Sequence, residues 1–335
     1  MTDFKPVTRR EAIFLLGGAA ALATLTRVTG AATARLNDRE AALPYMKGMI
    51  LFAITPMQLR AGKAEIDYDG MSRNMQFFAG QPEPYLITVC GGTGEFYDLR
   101  TEEHNRIIAA AAAEKGDRIL LAGVGGDETR EAVKLAQATE KAGADALVIM
   151  PSEVIAKQGD EALLSHYQEI ANAVSVGVLP YRRPVNPFGM DMILRLMETP
   201  NVIGLKDGIG DLTFIRKVYL KTEGLLPIFP AAERSTPFLH LAGAKGYTSG
   251  HANFTPNHSA RIWQLCEEGK YQEAMKLGDY FIRLDDLRAR YGNILLKAGL
   301  ELRGLAGGPL RKGPERMPDE GREALKSVLA DLGVL

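Results

Sequence analysis

Cysteine is nearly missing from this chain. Its 335 residues include two, Cys90 and Cys266, too few for a disulfide framework and without metal-ligand spacing. Aromatic residues amount to 7%, with a single tryptophan, so there is no stacking platform for single-stranded nucleic acid. Charge of one sign is never concentrated. Forty basic residues are interspersed with 41 acidic ones for a formal net charge of −1, which excludes a nucleic-acid-binding patch and an acidic disordered arm. The apolar run from Ala12 to Leu25 is too short to span a bilayer, so no membrane span is expected in the mature chain. The five histidines, at 104, 166, 240, 251 and 258, show no H-x-x-x-H pairing, and no metal is expected. The glycine-rich turns lack the lysine and hydroxyl residue that end a phosphate loop, and G-V-G-G is no dinucleotide fingerprint, so no cofactor is expected.

What is present describes a globular protein with ample core: 46% hydrophobic and 24% charged residues. Residues 1–34 stand apart. Thr8-Arg9-Arg10-Glu11, the apolar run to Leu25 and the small residues Ala32-Thr33-Ala34 have the order of an export signal, and the paired arginines resemble the twin-arginine kind. The expectation is a periplasmic or otherwise exported protein, cytoplasmic if the signal does not function.

From Lys47 onward, short apolar runs alternate with helix-period segments. The runs are Met49–Ile54, Tyr85–Cys90, Ile119–Ala122, Ala146–Met150, Val176–Leu179, Val202–Leu205, Leu226–Phe229 and Gly246–Ser249. Strands covered on both faces have this composition. Eight such units predict a (β/α)₈ barrel over residues 47–254, and a doubly wound open sheet fits the spacing too. After Thr255-Pro256 the pattern is helical to the end, a C-terminal extension over 255–335.

In a barrel the active site lies at the C-terminal ends of the strands. The Val202–Leu205 run ends on Lys206, followed by the Asp207-Gly208 turn. A lysine partly desolvated there can act as a neutral amine nucleophile. Tyr181 ends another strand and can shuttle a proton at an imine or carbinolamine. Backbone N–H groups of Gly91, Gly92, Thr93 and Gly94 can cradle an anion, with the Thr93 hydroxyl as a further donor. Ser249 ends the last strand and His251 follows it, and both are candidate substrate contacts. Together these groups suit a small-molecule 2-oxo acid, its carboxylate in the glycine turn and its ketone on Lys206. Glu95 fits a structural brace better than a general base, Asp207 fits an orienting role, and His104 and His166 are expected on helix surfaces.

The motifs I-T-P (54–56), G-G-T-G-E (91–95), A-G-V-G-G (122–126), Tyr181, G-L-K-D (204–207), A-K-G-Y-T-S (244–249) and G-G-P-L-R (307–311) occur in order. From Lys47 to the C-terminus the chain resembles the dihydrodipicolinate synthase and N-acetylneuraminate lyase superfamily, and within it most resembles 5-dehydro-4-deoxyglucarate dehydratase. The resemblance implies that Lys206 forms a Schiff base, Tyr181 shuttles protons, Thr93 binds the carboxylate and the backbone near Thr248 completes the site. It also implies a homo-oligomer. G-G-T-G-E-F, K-D-G-x-G-D and Arg183 match the dehydratase branch. Arg182 stands where that branch has asparagine, and S-G-H-A-N-F is unusual. Gly92 replaces the relay threonine of the synthase branch, which favours elimination from one sugar acid over condensation. The implied activity is dehydration with decarboxylation of a sugar-derived 2-oxo acid. A pyruvate-dependent aldolase and an exported, non-catalytic 2-oxo-acid-binding protein are the alternatives. Two adjacent arginines predict that Arg183, helped by Arg182, holds a distal carboxylate or hydroxyl of the substrate.

Overall fold

The apolar runs form parallel strands because both of their faces find cover. A computed structural model describes residues 36–231 and 233–335; the segment expected to direct export, residues 1–34, lies outside them. Eight strands, β1 (Gly48–Phe52), β4 (Leu86–Val89), β5 (Leu120–Val124), β6 (Ala146–Ile149), β7 (Gly177–Arg182), β8 (Leu205–Asp207), β9 (Ile228–Phe229) and β10 (Gly246–Ser249), pair in ring order β10-β1-β4-β5-β6-β7-β8-β9. A parallel bridge between Ala231 and Thr248 joins the two ends, with the Thr248 N–H donating to the Pro230 carbonyl at 2.7 Å. That junction makes the sheet a (β/α)₈ barrel and removes the open-sheet alternative.

Strand parity sorts the side chains. Ile50, Phe52, Leu86, Leu121, Val148, Met150, Leu179 and Phe229 fill the interior, with Tyr181 packed against them. Their neighbours Met49, Leu51, Ile87, Ala122, Ile149, Val178 and Ile228 face outward into the helix layer. Leu36, Ala42 and Met46 join the interior cluster and are fully buried, so the chain before β1 closes one end of the barrel. The short helix α1 (Arg39–Ala42) lies in that plug, capped by the Asp38 carboxylate.

The outer layer comprises α2 (Tyr68–Ala79), α3 (Thr101–Glu114), α4 (Thr129–Lys141), α5 (Glu153–Ala156), α6 (Asp160–Asn172), α7 (Met190–Leu196), α8 (Leu212–Lys221) and α9 (Thr236–Ala242). Helices α10 (Pro256–Glu267), α11 (Tyr271–Tyr291), α12 (Ile294–Leu302) and α13 (Asp319–Asp331) form the extension. Thr101 is the first helical residue of α3 and not its cap. Arg100 takes the cap position, and its N–H donates to the Glu103 carboxylate at 3.0 Å. The antiparallel hairpin β2 (Met57–Arg60) and β3 (Lys63–Ile66) was not expected, because its polar strands lack an apolar run.

The loop between α12 and α13 is one of the places where the extension is tied to the barrel. The Gly307 carbonyl accepts from the Met57 N–H at 3.0 Å, and the Ala306 N–H donates to the Asn74 side chain at 2.9 Å. A Cβ on Gly308 would stand 1.7 Å from the Met57 carbonyl oxygen, and its φ is +76°, so only glycine fits there.

Candidate active site

Lys206 is the middle residue of the short strand β8, with its side chain pointing into the barrel and only 3% exposed. Its Nζ donates to the Asp207 carbonyl at 3.0 Å and lies 5.0 Å from the centre of the Tyr181 ring and 5.8 Å from that of Phe52. Burial pushes the amine down to about 7, and the Arg183 guanidinium works in the same direction against the opposing pull of Asp207. An amine near 7 is substantially neutral, and nucleophilic, at physiological pH.

Tyr181 sits directly beside it, paired with Lys206 in the β7–β8 register. Burial raises the phenol, opposed by Arg183 and Arg288. Gly208 explains the turn after the lysine. A Cβ there would lie 3.0 Å from the Tyr181 ring and 3.2 Å from its hydroxyl, so glycine lets the phenol rest on the loop. Asp207 faces the other way. Its carboxylate accepts from Arg182 at 2.9 Å and from the Gly210 N–H at 2.7 Å, an orienting role.

The glycine turn follows β4. Cys90 is left-handed at φ +52°, which swings the chain inward, and the Gly91 Cα packs so close to Phe52 that a Cβ would be 2.8 Å from the ring. Among the described residues the N–H groups of Gly92, Thr93 and Gly94 have no hydrogen-bond acceptor. Thr55 donates to the Gly94 carbonyl at 2.7 Å and fixes the far side of the turn. Gly92 is exposed, with the Met150 methyl 3.8 Å from where a Cβ would be. Glu95 braces the turn from behind: its carboxylate meets Lys297 of α12 at 2.7 Å and accepts from the Arg311 N–H at 2.7 Å. Phe52 in particular, an apolar strand residue by sequence, is a wall of the site.

Strand β10 requires corrections. Thr248 points inward, 6% exposed, its hydroxyl on the Pro230 carbonyl at 3.3 Å. Ser249 is therefore on the opposite face. Its hydroxyl is hydrogen-bonded to Glu233 and accepts from the Ala252 N–H at 2.8 Å, behind the barrel wall. His251 is likewise removed from the expected substrate contacts. It is 1% exposed, packed between Phe254 and Phe281, with Nδ1 3.6 Å from Glu233 and 3.9 Å from Asp285. Chain direction places both at a strand end, but side-chain parity turns them away from it.

The two arginines after Tyr181 separate in the same way. Arg182 is buried outside the barrel, where Nε donates to the Phe188 carbonyl at 2.9 Å, Nη1 pairs with Asp207 and the guanidinium stacks 3.7 Å over Phe214. It does not assist Arg183. Arg183 remains at the mouth, 5.7 Å over the Tyr181 ring and in reach of the Tyr97 hydroxyl. His104 and His166 are buried, not on the surface. The first meets the Gly123 carbonyl of β5 at 2.7 Å, and the second the hydroxyl of Thr129, the first residue of the neighbouring helix α4, at 2.9 Å.

Two residues at the mouth were missed by sequence. Asn253 accepts from the Ile54 N–H at 3.0 Å and donates to the Phe52 and Gly250 carbonyls, joining the ends of β1 and β10. Arg288 arrives from α11 and lies against Gly250. Asn253 stands in the S-G-H-A-N-F stretch, where its role is not visible from sequence, and only the docked extension brings Arg288 there.

Comparison with known proteins agrees with this geometry. The sequence pattern of the dihydrodipicolinate synthetase family matches residues 45–332. The chain is 30% identical to 5-dehydro-4-deoxyglucarate dehydratase from Pseudomonas putida, over 89% of this chain and 99% of that one. The crystal structure of a chloride-inhibited dihydrodipicolinate synthase from Acinetobacter baumannii complexed with pyruvate superposes with a TM-score of 0.76 at 27% identity, covering 87% of this chain and all of the other. These relatives overturn the expectation of export. The Pseudomonas putida protein is matched over nearly its whole length while about a tenth of this chain stays unmatched, and the family pattern begins at residue 45. The relatives are thus complete without a counterpart of the segment that carried the expectation. Family pattern, relatives and barrel agree: the chain belongs to the dihydrodipicolinate synthetase family and is a lyase.

Proposed function

We propose that this lyase forms a Schiff base between Lys206 and a sugar-derived 2-oxo acid and catalyses dehydration with decarboxylation, as a 5-dehydro-4-deoxyglucarate dehydratase does. The observation that carries the reading is the buried Lys206 amine, pushed down to about 7 beside the Tyr181 phenol. The neutral amine adds to the ketone carbon, and Tyr181 passes a proton to the carbinolamine hydroxyl, which leaves as water. The resulting iminium is an electron sink. It acidifies the adjacent carbon, whose proton and the β-hydroxyl depart together as a second water; carbon dioxide then leaves from the far end, and one water hydrolyses the imine to free the product and the Lys206 amine. The Gly92–Gly94 amides and Thr93 hold the carboxylate next to the ketone, preorganised donors that need no rearrangement during the reaction. Arg183 faces the remote end of the substrate.

Gly92 supports elimination over condensation. It carries no hydroxyl to relay a proton, and its open surroundings leave room beside the imine for a hydroxylated chain. The test is borohydride reduction of the protein mixed with C5 and C6 2-oxo acids, with peptide mass mapping and product identification. An adduct on Lys206 and release of water and carbon dioxide are expected. An adduct on another lysine, or efficient condensation of pyruvate with an aldehyde, defeats the reading.

We also propose that the protein acts as a homo-oligomer. Phe238 and Leu241 on α9 and Met275 and Ile282 on α11 are 47%, 60%, 43% and 39% exposed, apolar area that self-association would cover.

A further inference from the structure

The C-terminal half of α11 crosses the end of β10 and delivers one side chain to the mouth. A Cβ on Gly250 would stand 2.4 Å from Nη1 of Arg288 and 3.0 Å from its Cζ, so the guanidinium rests on that glycine. Gly250 has an ordinary right-handed backbone, φ −87° and ψ −33°, which any residue can adopt. The glycine is therefore needed for space, and the space is filled by Arg288.

This guanidinium lacks a carboxylate partner. Of the other enclosed arginines, Arg182, Arg261 and Arg311 pair with Asp207, Glu268 and Glu103, while Arg118 and Arg303 spend their N–H groups on backbone carbonyls well away from Lys206. Arg288 makes no ion pair among the described residues, and its Nη2 donates to a neutral acceptor, the Asn293 side chain, at 3.1 Å. Asp285, one turn earlier on the same helix, is committed to Arg234. Glu233 is in electrostatic reach but is held by Ser249 and His251. On the substrate side Arg288 feels the Tyr181 phenol, as does Arg183. Two guanidiniums without carboxylates thus flank the tyrosine beside Lys206. A half-buried, unpaired guanidinium is costly unless an anion meets it, and its planar fork fits a carboxylate.

We propose that Arg288, supplied by the helical extension, selects a dicarboxylic 2-oxo acid by pairing with the carboxylate remote from the ketone. The inference rests on the reading of Lys206 as the residue that holds the ketone. The glycine turn after β4 stands across the ring from Lys206 on β8 and serves the near carboxylate, and Arg288, above β10 on the arc between them, is left for the far one. Gly250 and Asn293 position the guanidinium.

The test compares 2-oxoadipate with pyruvate, by calorimetry for binding and by borohydride trapping for the adduct, on the unmodified protein and on Arg288→Gln, Arg288→Lys and Gly250→Ala. Arg288→Gln should weaken 2-oxoadipate about ten- to a hundredfold, the loss of one charge-assisted contact, while pyruvate changes by less than about threefold. Arg288→Lys should recover part of the preference. Gly250→Ala keeps the charge but displaces it, and should shift selectivity in the same direction, which decides the matter even where Arg288→Gln folds poorly. Equal weakening of both acids, or no preference of the unmodified protein for the dicarboxylic one, overturns the proposal. Absence of any Lys206 adduct overturns the Schiff-base reading instead, and the calorimetric preference still decides the role of Arg288.

Discussion

At the scale of the residue, Lys206 is held in a state that folding does not favour. Its amine lies at about 7 against an ordinary 10.5, and burial is the main cause. Imine formation needs the neutral amine, so kcat/KM for a 2-oxo acid should rise with pH through about 7 and level off above, as steady-state kinetics from pH 5.5 to 9 would show. The same shift has a stability consequence. Between about 7 and 10.5 the unfolded chain binds the proton that the folded chain has lost, so the burden of this lysine is full below about 7 and fades toward 10.5. Lys206→Met should abolish turnover and stabilise the fold by about 1–2 kcal/mol. Thermal unfolding should show the gain larger at pH 6 than at pH 9. A variant less stable than the parent at pH 6 would contradict this. Lys206 and Tyr181 were legible because each ends a short apolar run. Ser249 and His251 misled, although the signal existed: with Thr248 directed inward, the next residue of a strand points out.

At the scale of the element, the glycine turn depends on a partner two hundred residues away. Glu95 and Lys297 form a buried ion pair, with side chains 7% and 0% exposed. Breaking such a pair leaves one buried charge unmatched, so Glu95→Gln or Lys297→Met should each cost about 3–5 kcal/mol in urea unfolding. The double variant should cost less than the sum of the two, since it leaves no lone charge. Keto-acid affinity should fall in the single variants even where they remain folded, because the turn loses its brace. The sequence shows the eight strands plainly, since each is covered on both faces and contains little else than apolar residues. It cannot show what Glu95 meets. A glutamate after a glycine run looks alike whether water or a lysine lies behind it, and helix α12 is as apolar around Lys297 as any core helix. The hairpin β2–β3 escaped for the opposite reason, being polar and held by loop 304–311 and not by a core of its own.

At the scale of the whole molecule, barrel and extension act as one body. Light scattering should find a multiple of the 36.5 kDa chain mass, and Phe238→Glu with Leu241→Glu should lower it. An unchanged mass would remove α9 from the contact.

The bracing of Glu95 by Lys297 and Arg311 also bears on how the protein is made. During synthesis every strand of the barrel, Lys206 included, leaves the ribosome before residues 297 and 311 exist. A reactive amine is thus assembled early in a cell that contains 2-oxo acids. The turn that would hold their carboxylates gains its support from Lys297 and Arg311 only when the chain is almost complete, so firm capture of a keto acid should set in only with the last residues of the chain.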